Sequence, residues 1–367
     1  MLKYLELKNF RGFQELQLSG LSRINVITGT NGSGKTSVLE ALFLISGAAN
    51  ASLALSLSSF RGDNSWAANY EVPFRTLFRD LDPNIHPQIS ASTSVLQKRT
   101  KKHSRQLEIR PSYTAVEGQP STRQVKKLSG IEFVFSGPSG IVRNQWGWRT
   151  DVPKSIADHL PPAAPDQHRL LLGGEPSQNP DLTQAHFVSP YVRELMEQDH
   201  RTLTEFTKQR RISEVVEVLK LVHPSISDVQ PLIEDGVPMI YVDVGAQALL
   251  PLSLVGAGVS NVLHIVLPLI QYRNAKILVD EFEDGLHHSL FGPLLRVVFS
   301  LATKNNNQLF ITTHSDEFLR EIISIARQDG SEEIAFYRFG RRGMHGTVPK
   351  YSLAEAHDIL DANLDIR

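Results

Sequence analysis

Apolar and polar side chains alternate at the start of the chain. Residues 2–7 (LKYLEL) and 14–18 (QELQL) have the period of strands with one buried face. They predict two half-buried strands joined across Asn9-Phe10-Arg11-Gly12. Residues 23–28 (RINVIT) form a more continuous apolar run, as expected of a strand covered on both faces. From Lys35 to Ser46 the period lengthens. Val38, Leu39, Leu42 and Phe43 recur at helical spacing and predict a helix with one packed face.

Residues 47–190 have no single period. Short strand-like pieces such as 131–135 (IEFVF) stand among proline and glycine, notably PPAAP at 161–165. The pattern turns helical from Pro190 to Val222, with Val192, Leu195 and Met196 on one face and Ile212, Val215, Val216 and Leu219 on another. A strand at 240–244 (IYVDV) follows, then LSLVGAG and an apolar helix from Val259 to about Tyr272. Two further buried strands, AKILVDE at 275–281 and LFITTHS at 309–315, flank a helical segment at 286–303. Strand, helix, strand in that order predicts parallel neighbours in one sheet. There is no sustained heptad repeat and no internal repeat of 20–50 residues.

Composition narrows the class. With 367 residues and 41% hydrophobic content the chain is long enough for a sizeable core, and a formal charge of −1 gives no global attraction to nucleic acid. Local basic runs, Lys98 to Arg105 and Arg338 to Arg342, are the candidate DNA contacts. The absence of cysteine excludes disulfides, thiolate metal sites and cysteine nucleophiles. The N-terminus lacks the apolar core of a secretory signal, and the longest apolar stretch, 259–270, is interrupted by Asn261 and His264. These features predict a soluble cytoplasmic protein without a membrane span.

The chemistry is concentrated in four patches. GTNGSGKT, Gly29 to Thr36, fits the phosphate-binding pattern G-x-x-x-x-G-K-[ST] between a buried strand and a helix. Small residues let the backbone wrap round phosphates with N–H groups pointing inward, and the helix N-terminus adds partial positive charge. Gly29, Asn31, Gly32, Ser33, Gly34, Lys35, Thr36 and Ser37 are the candidate nucleotide-binding set. Lys35 would reach the outer phosphates and the Thr36 hydroxyl would ligate magnesium. In the second patch Asp280 and Glu281 end an apolar strand. Asp280 suits a magnesium contact, and Glu281 is placed to polarise water for attack on the γ-phosphate. In the third, His314 ends a strand 33 residues after Glu281 and is a candidate sensor of the γ-phosphate. In the fourth, Ser253 and Gly256 precede a helix and form a second anion-binding corner.

The order of these patches, with the FEDGLH turn after Asp280-Glu281, resembles the ABC-type ATPase heads of the RecF, SMC and OLD group. DEFEDGLHHSL looks like a segment of the OLD-like AAA ATPases of phage defence. The resemblance is specific over 1–46 and 250–320. It implies an α/β fold: an ABC-ATPase-like head with a mixed N-terminal β lobe, a parallel-sheet P-loop core and an inserted helical subdomain. The corresponding segments are 1–46 (N-terminal strands and phosphate loop), 47–190 (variable insertion), 191–258 (helical and signature subdomain), 259–320 (core) and 321–367 (C-terminal segment). It further implies ATP and magnesium as ligands, Glu281 as general base, His314 as switch residue, and a turn at Glu283-Asp284-Gly285 that crosses a dimer interface. Ser253 and Gly256 would act in trans, on the nucleotide held by the other chain of a homodimer or higher even oligomer. Arg11 would approach the phosphates, and Gln88 or Gln97 would supply the Q-loop. LSLVGAG departs from the transporter signature, which implies slow turnover. The 53 residues after His314 are too few for the nuclease domain of OLD proteins, which implies a separate effector such as a nuclease. A RecF-like DNA-repair ATPase and a near-inactive ATP-binding scaffold are the alternatives.

Overall fold

The computed structural model describes residues 1–62, 71–94, 104–115, 126–147, 181–190, 195–330, 333–340 and 346–362. Several expected features lie outside them: Gln97, residues 98–103 of the basic run, the prolines at 161–165, Val192, and Arg341 and Arg342.

The chain opens with a hairpin, β1 (Tyr4–Phe10) and β2 (Phe13–Ser19), followed by β3 (Ile24–Gly29) and α1 (Lys35–Ser46). Helices α2 (Leu53–Ser59) and α3 (Glu71–Arg75) lead to β4 (Gln88–Ser92), β5 (Ser104–Ala115), β6 (Lys126–Gly137) and β7 (Gly140–Gly147). Next come β8 (Ala185–Val188), α4 (Leu195–Lys208), α5 (Ile212–Leu219), β9 (Asp228–Glu234), β10 (Val237–Asp243) and β11 (Leu250–Pro251). Then follow α6 (Leu252–Val255), α7 (Ala257–Gln271), β12 (Lys276–Val279), α8 (Phe291–Lys304), β13 (Gln308–Thr313) and α9 (Asp316–Gln328). The chain continues through β14 (Ile334–Phe339), β15 (Gly346–Thr347), β16 (Lys350–Tyr351) and α10 (Leu353–Asp361).

These strands make three sheets. A seven-stranded sheet has the order β15-β2-β1-β4-β5-β6-β7, a small sheet β11-β10-β9, and the core sheet β16-β14-β3-β13-β12-β8. In the core, β14, β3, β13, β12 and β8 are parallel, so their carboxyl ends share one edge. The two-residue period of a strand divides the buried side chains. Ile277 and Val279 join the cluster beneath α4, α5 and α7–α9, while Leu278 joins the cluster with α1 and the N-terminal strands.

Three expectations change. Helix α1 has no solvent face: of its residues only Thr36 is not buried, because the helix is held between the core and the seven-stranded sheet. The expected insertion, 47–190, gives β4–β7 to the N-terminal sheet and β8 to the core, so this stretch extends both layers. The helix expected at 286–303 begins at Phe291, after a turn through Gly285 (φ +66°) and a 3-10 turn at His288–Leu290.

Candidate functional site

Strand β3 is buried throughout and ends at Gly29, and α1 starts six residues later, so the loop between them sits at the carboxyl edge of the core sheet. Gly34 precedes α1 with φ +99°, and a Cβ there would lie 2.3 Å from the Phe13 ring, so only glycine fits. No side chain caps α1. Lys35 curls back over the loop and donates to the carbonyls of Gly29 (2.7 Å) and Thr30 (3.2 Å). The Ser33 hydroxyl is buried inside the same loop, without a partner among the described residues.

The two acids that follow β12 stand opposite. The Thr36 hydroxyl donates to Asp280 at 2.9 Å, and Thr312 donates to the other carboxylate oxygen at 2.5 Å. Thr312 also accepts the Glu281 N–H at 2.9 Å, so one threonine of β13 fixes both acids. Glu281, just past the end of β12, has φ +48°, a strained value for a non-glycine residue. Burial raises the Asp280 pKa, opposed by the Thr312 and Thr36 hydroxyls. Burial likewise lowers that of Lys35, opposed by the charges of Asp280, Glu281 and Glu283, which places all three acids close to it.

Glu283 has a local role that the sequence did not reveal. It accepts from the Thr313 hydroxyl (2.7 Å) and from the N–H groups of His314 (3.0 Å) and Ser315 (3.2 Å). His314 Nδ1 lies 3.4 Å from the same oxygen. The turn after β12 is thereby tied to the end of β13, and the exposed imidazole is carried at that junction.

The structure thus brings together the loop, Thr36, Asp280, Glu281 and His314. Ser253 and Gly256 stand apart: Ser253 is exposed, Leu254 beside it is 72% exposed, and Gly256 (φ +134°) has open space where a Cβ would be. No hydrogen bond joins either residue to the phosphate loop among the described residues. They connect to the site through α7, where Asn261 donates to the Asp284 carbonyl at 2.9 Å. Arg11 does not turn to the loop; it grips Glu40 of α1 at 3.0 and 3.1 Å and also bonds Thr76. Arg61 holds the same carboxylate at 2.7 and 3.0 Å and reaches the Ser37 hydroxyl at 3.4 Å. A single acid inside the apolar run SVLEALF was the available signal for this strut. Gln88 accepts from Gln106 across the β4–β5 ladder, and among the described residues no hydrogen bond joins it to the phosphate loop.

The donor set fits a magnesium nucleotide. One hydroxyl and one carboxylate converge at Thr36 and Asp280, oxygen ligands of the kind magnesium takes alongside water and phosphate. Among the described residues no group of three or more His, Asp or Glu side chains forms an all-protein metal cage. The orphaned Ser33 hydroxyl and the uncapped α1 are suited to phosphate oxygens.

Comparison with known proteins agrees on class. An AAA domain family model matches residues 4–143, and a second, described as AAA domain, putative AbiEii toxin, Type IV TA system, matches 163–320. The fold is that of an SMC head. The solved Smc head bound to the C-winged helix domain of ScpA superposes with a TM-score of 0.50 at 14% identity, over 98% of this chain and 99% of that one. The matched segments thus resemble AAA domains, in a fold like that of an SMC head.

Among individual relatives, an ATP/GTP phosphatase of Helicobacter pylori is 24% identical over 363 residues, covering 89% of each chain. The DNA replication and repair protein RecF of Idiomarina loihiensis is 54% identical over 44 residues, 12% of each chain. RecF of Lachnoclostridium phytofermentans is 25% identical over 146 residues, 39% of this chain and 35% of its own. No helix among the described residues is long and apolar enough to cross a membrane.

Proposed function

We propose that this chain is an ATP-hydrolysing switch that closes head to tail with a second copy. The observation that carries the reading is the interlock Thr36–Asp280–Thr312–Glu281 beside Lys35. Lys35 leaves the Gly29 and Thr30 carbonyls to meet the β- and γ-phosphates, and the loop N–H groups wrap the same charge. Magnesium, when bound, neutralises phosphate oxygens, and Thr36 and Asp280 are the residues that would hold it. Glu281 orients and deprotonates the attacking water. His314, positioned by Glu283, reads the γ-phosphate. Ser253 and Gly256 complete the site of the opposite chain, a role supported by the exposure of Ser253 and of Leu254 beside it.

ATP-driven pairing is tested with Glu281→Gln. Turnover should fall by roughly 10²–10⁴-fold, the usual contribution of a general base. ATP affinity should persist, and light scattering should show a dimer with ATP that Ser253→Arg abolishes. A monomer in every nucleotide state would reject the pairing. Wild-type phosphate release no faster than that of Glu281→Gln would favour the scaffold.

The biological setting we propose is an anti-phage defence system in which the switch controls a separate effector nuclease. The AbiEii-type match over 163–320 supports it. Native mass spectrometry of the chain co-expressed with its genomic neighbours should reveal a nucleotide-dependent complex; free chain in all states would count against the setting. The RecF likeness supports a second reading, direct DNA binding. That reading requires duplex affinity that falls steeply with salt.

A further inference from the structure

A second polar site lies at the opposite edge of the core sheet, where β12 and β13 begin. Lys276 opens β12 and is only 5% exposed. Its ammonium carries three donors, and its one hydrogen bond among the described residues goes to the Thr183 hydroxyl. Burial and then the nearby Arg105 guanidinium push its pKa down to about 7, with no carboxylate among the described residues acting against them. Arg105 is the described end of the basic run noted in the sequence. The acid that acts on it, Asp181, is also engaged by the Ser139 N–H at 2.6 Å.

Lys276, Arg105, Thr183, Thr93 and Asn274 line a cavity of about 230 Å³. Its walls are fixed. Gln308 is bonded to the backbone of Leu2 and Ser22, and Asn306 bridges Arg23 and Asn274. Lys276, Arg105 and the Met1 amino group line one cavity, and Lys276 is withdrawn from water without a counter-charge among the described residues, which destabilises the fold unless a ligand supplies the missing charge. The cavity is much too small for a duplex but accommodates a phosphate group. Lysine and arginine together are the side chains that recognise phosphate.

We propose that this cavity binds a phosphate group, held by Lys276 and Arg105, at the edge of the core sheet opposite the nucleotide site. The phosphate is either a free anion or the terminal phosphate of a nucleic-acid strand. The site does not depend on how the crevice at the other edge works.

Calorimetric titration tests it on full-length protein saturated with ADP, so that the phosphate loop is already filled. The probes are inorganic phosphate and a short single strand with a 5′-phosphate or a 5′-hydroxyl. Wild type should bind phosphate at one site, and Lys276→Met and Arg105→Ala should each weaken it about tenfold or more, the loss expected for one charge-assisted contact. ADP affinity should be unchanged in both variants, which also reports that they fold. Arg105 is half-buried at the rim, so its variant remains informative if Lys276→Met fails to fold. Preference for the 5′-phosphorylated strand, abolished by competing phosphate, would identify a nucleic-acid end as the source; indifference to it would identify a free anion. No phosphate binding to the ADP-saturated wild type, or variants that bind as wild type does, would overturn the proposal.

Discussion

Two charges are buried in this molecule under opposite conditions. Glu40, fully buried in α1, is gripped by Arg11 and Arg61, four hydrogen bonds in all. Lys276, almost as deep in β12, has a hydroxyl for a partner and a second cation for a neighbour. The first arrangement returns to a carboxylate what it lost on leaving water, and it braces the helix that presents Lys35. The second returns little. Burial of charge therefore marks a strut at one edge of the sheet and an incomplete site at the other, and what separates the two is counter-charge, not depth.

Substitution should separate them by sign. Glu40→Ala leaves two guanidinium groups facing each other without their acid and should cost about 3–5 kcal/mol, as breaking a buried pair from one side does. Chemical denaturation would measure it, and a loss below 1 kcal/mol would mean that the strut is solvated. Lys276→Met, of similar shape without the charge, should stabilise the protein at pH 7 by roughly 2–4 kcal/mol.

The direction with pH follows from the depressed value of the lysine. In the native state Lys276 gives up its proton near pH 7, whereas unfolded it holds it to about 10.5. Its contribution is most favourable above about 10.5 and is lost as pH falls through 7. The advantage of Lys276→Met should shrink steadily as pH rises from 7 toward 10. An advantage independent of pH would place the ammonium in water.

The first of these edges was legible in the sequence and the second was not. The glycine pattern, the acids at the end of AKILVDE and the histidine of TTHS each mark where a buried strand stops, and parallel strands stop along one edge. Periodicity says nothing about what faces a strand's first residue. Lys276 reads as the polar start of an apolar run, and only the arrival of Arg105 and Thr183, distant in sequence, gives it meaning. The partners of Glu40 are hidden for the same reason, as is Glu283, which reads as one more acid in a turn until β13 lies beside it. The packed face expected of α1 missed the second sheet because one helix cannot report how many layers enclose it.

Glu283 gives a smaller and more specific break. Glu283→Ala removes the acceptor of one hydroxyl and two N–H groups and should cost about 2–3 kcal/mol. ATP turnover should fall together with stability, because His314 is positioned through the same oxygen. Glu283→Gln keeps that oxygen and should recover most of the stability. Full turnover in Glu283→Ala, measured well below its melting temperature, would show that the junction supports the fold and leaves His314 unaffected.

The smallest effect should come from the link between α7 and the turn after β12. Asn261→Ala removes a single, largely exposed hydrogen bond to the Asp284 carbonyl, so the stability loss should be about 1 kcal/mol or less. Gly285→Ala attacks the same contact from the other side: a Cβ there would lie 2.4 Å from Asn261 Nδ2, and φ +66° adds strain of its own. Because the clash disappears once Asn261 is shortened, the two changes together should cost less than their sum by about 0.5–1 kcal/mol. If the bond also aligns the Ser253 corner with the Asp284 turn, both single variants should weaken ATP-dependent pairing while leaving the ADP affinity of the separate chain unchanged. Additive stability losses with undiminished pairing would mean that α7 and the turn move independently, and the exposed corner would then have to be oriented by the partner chain itself.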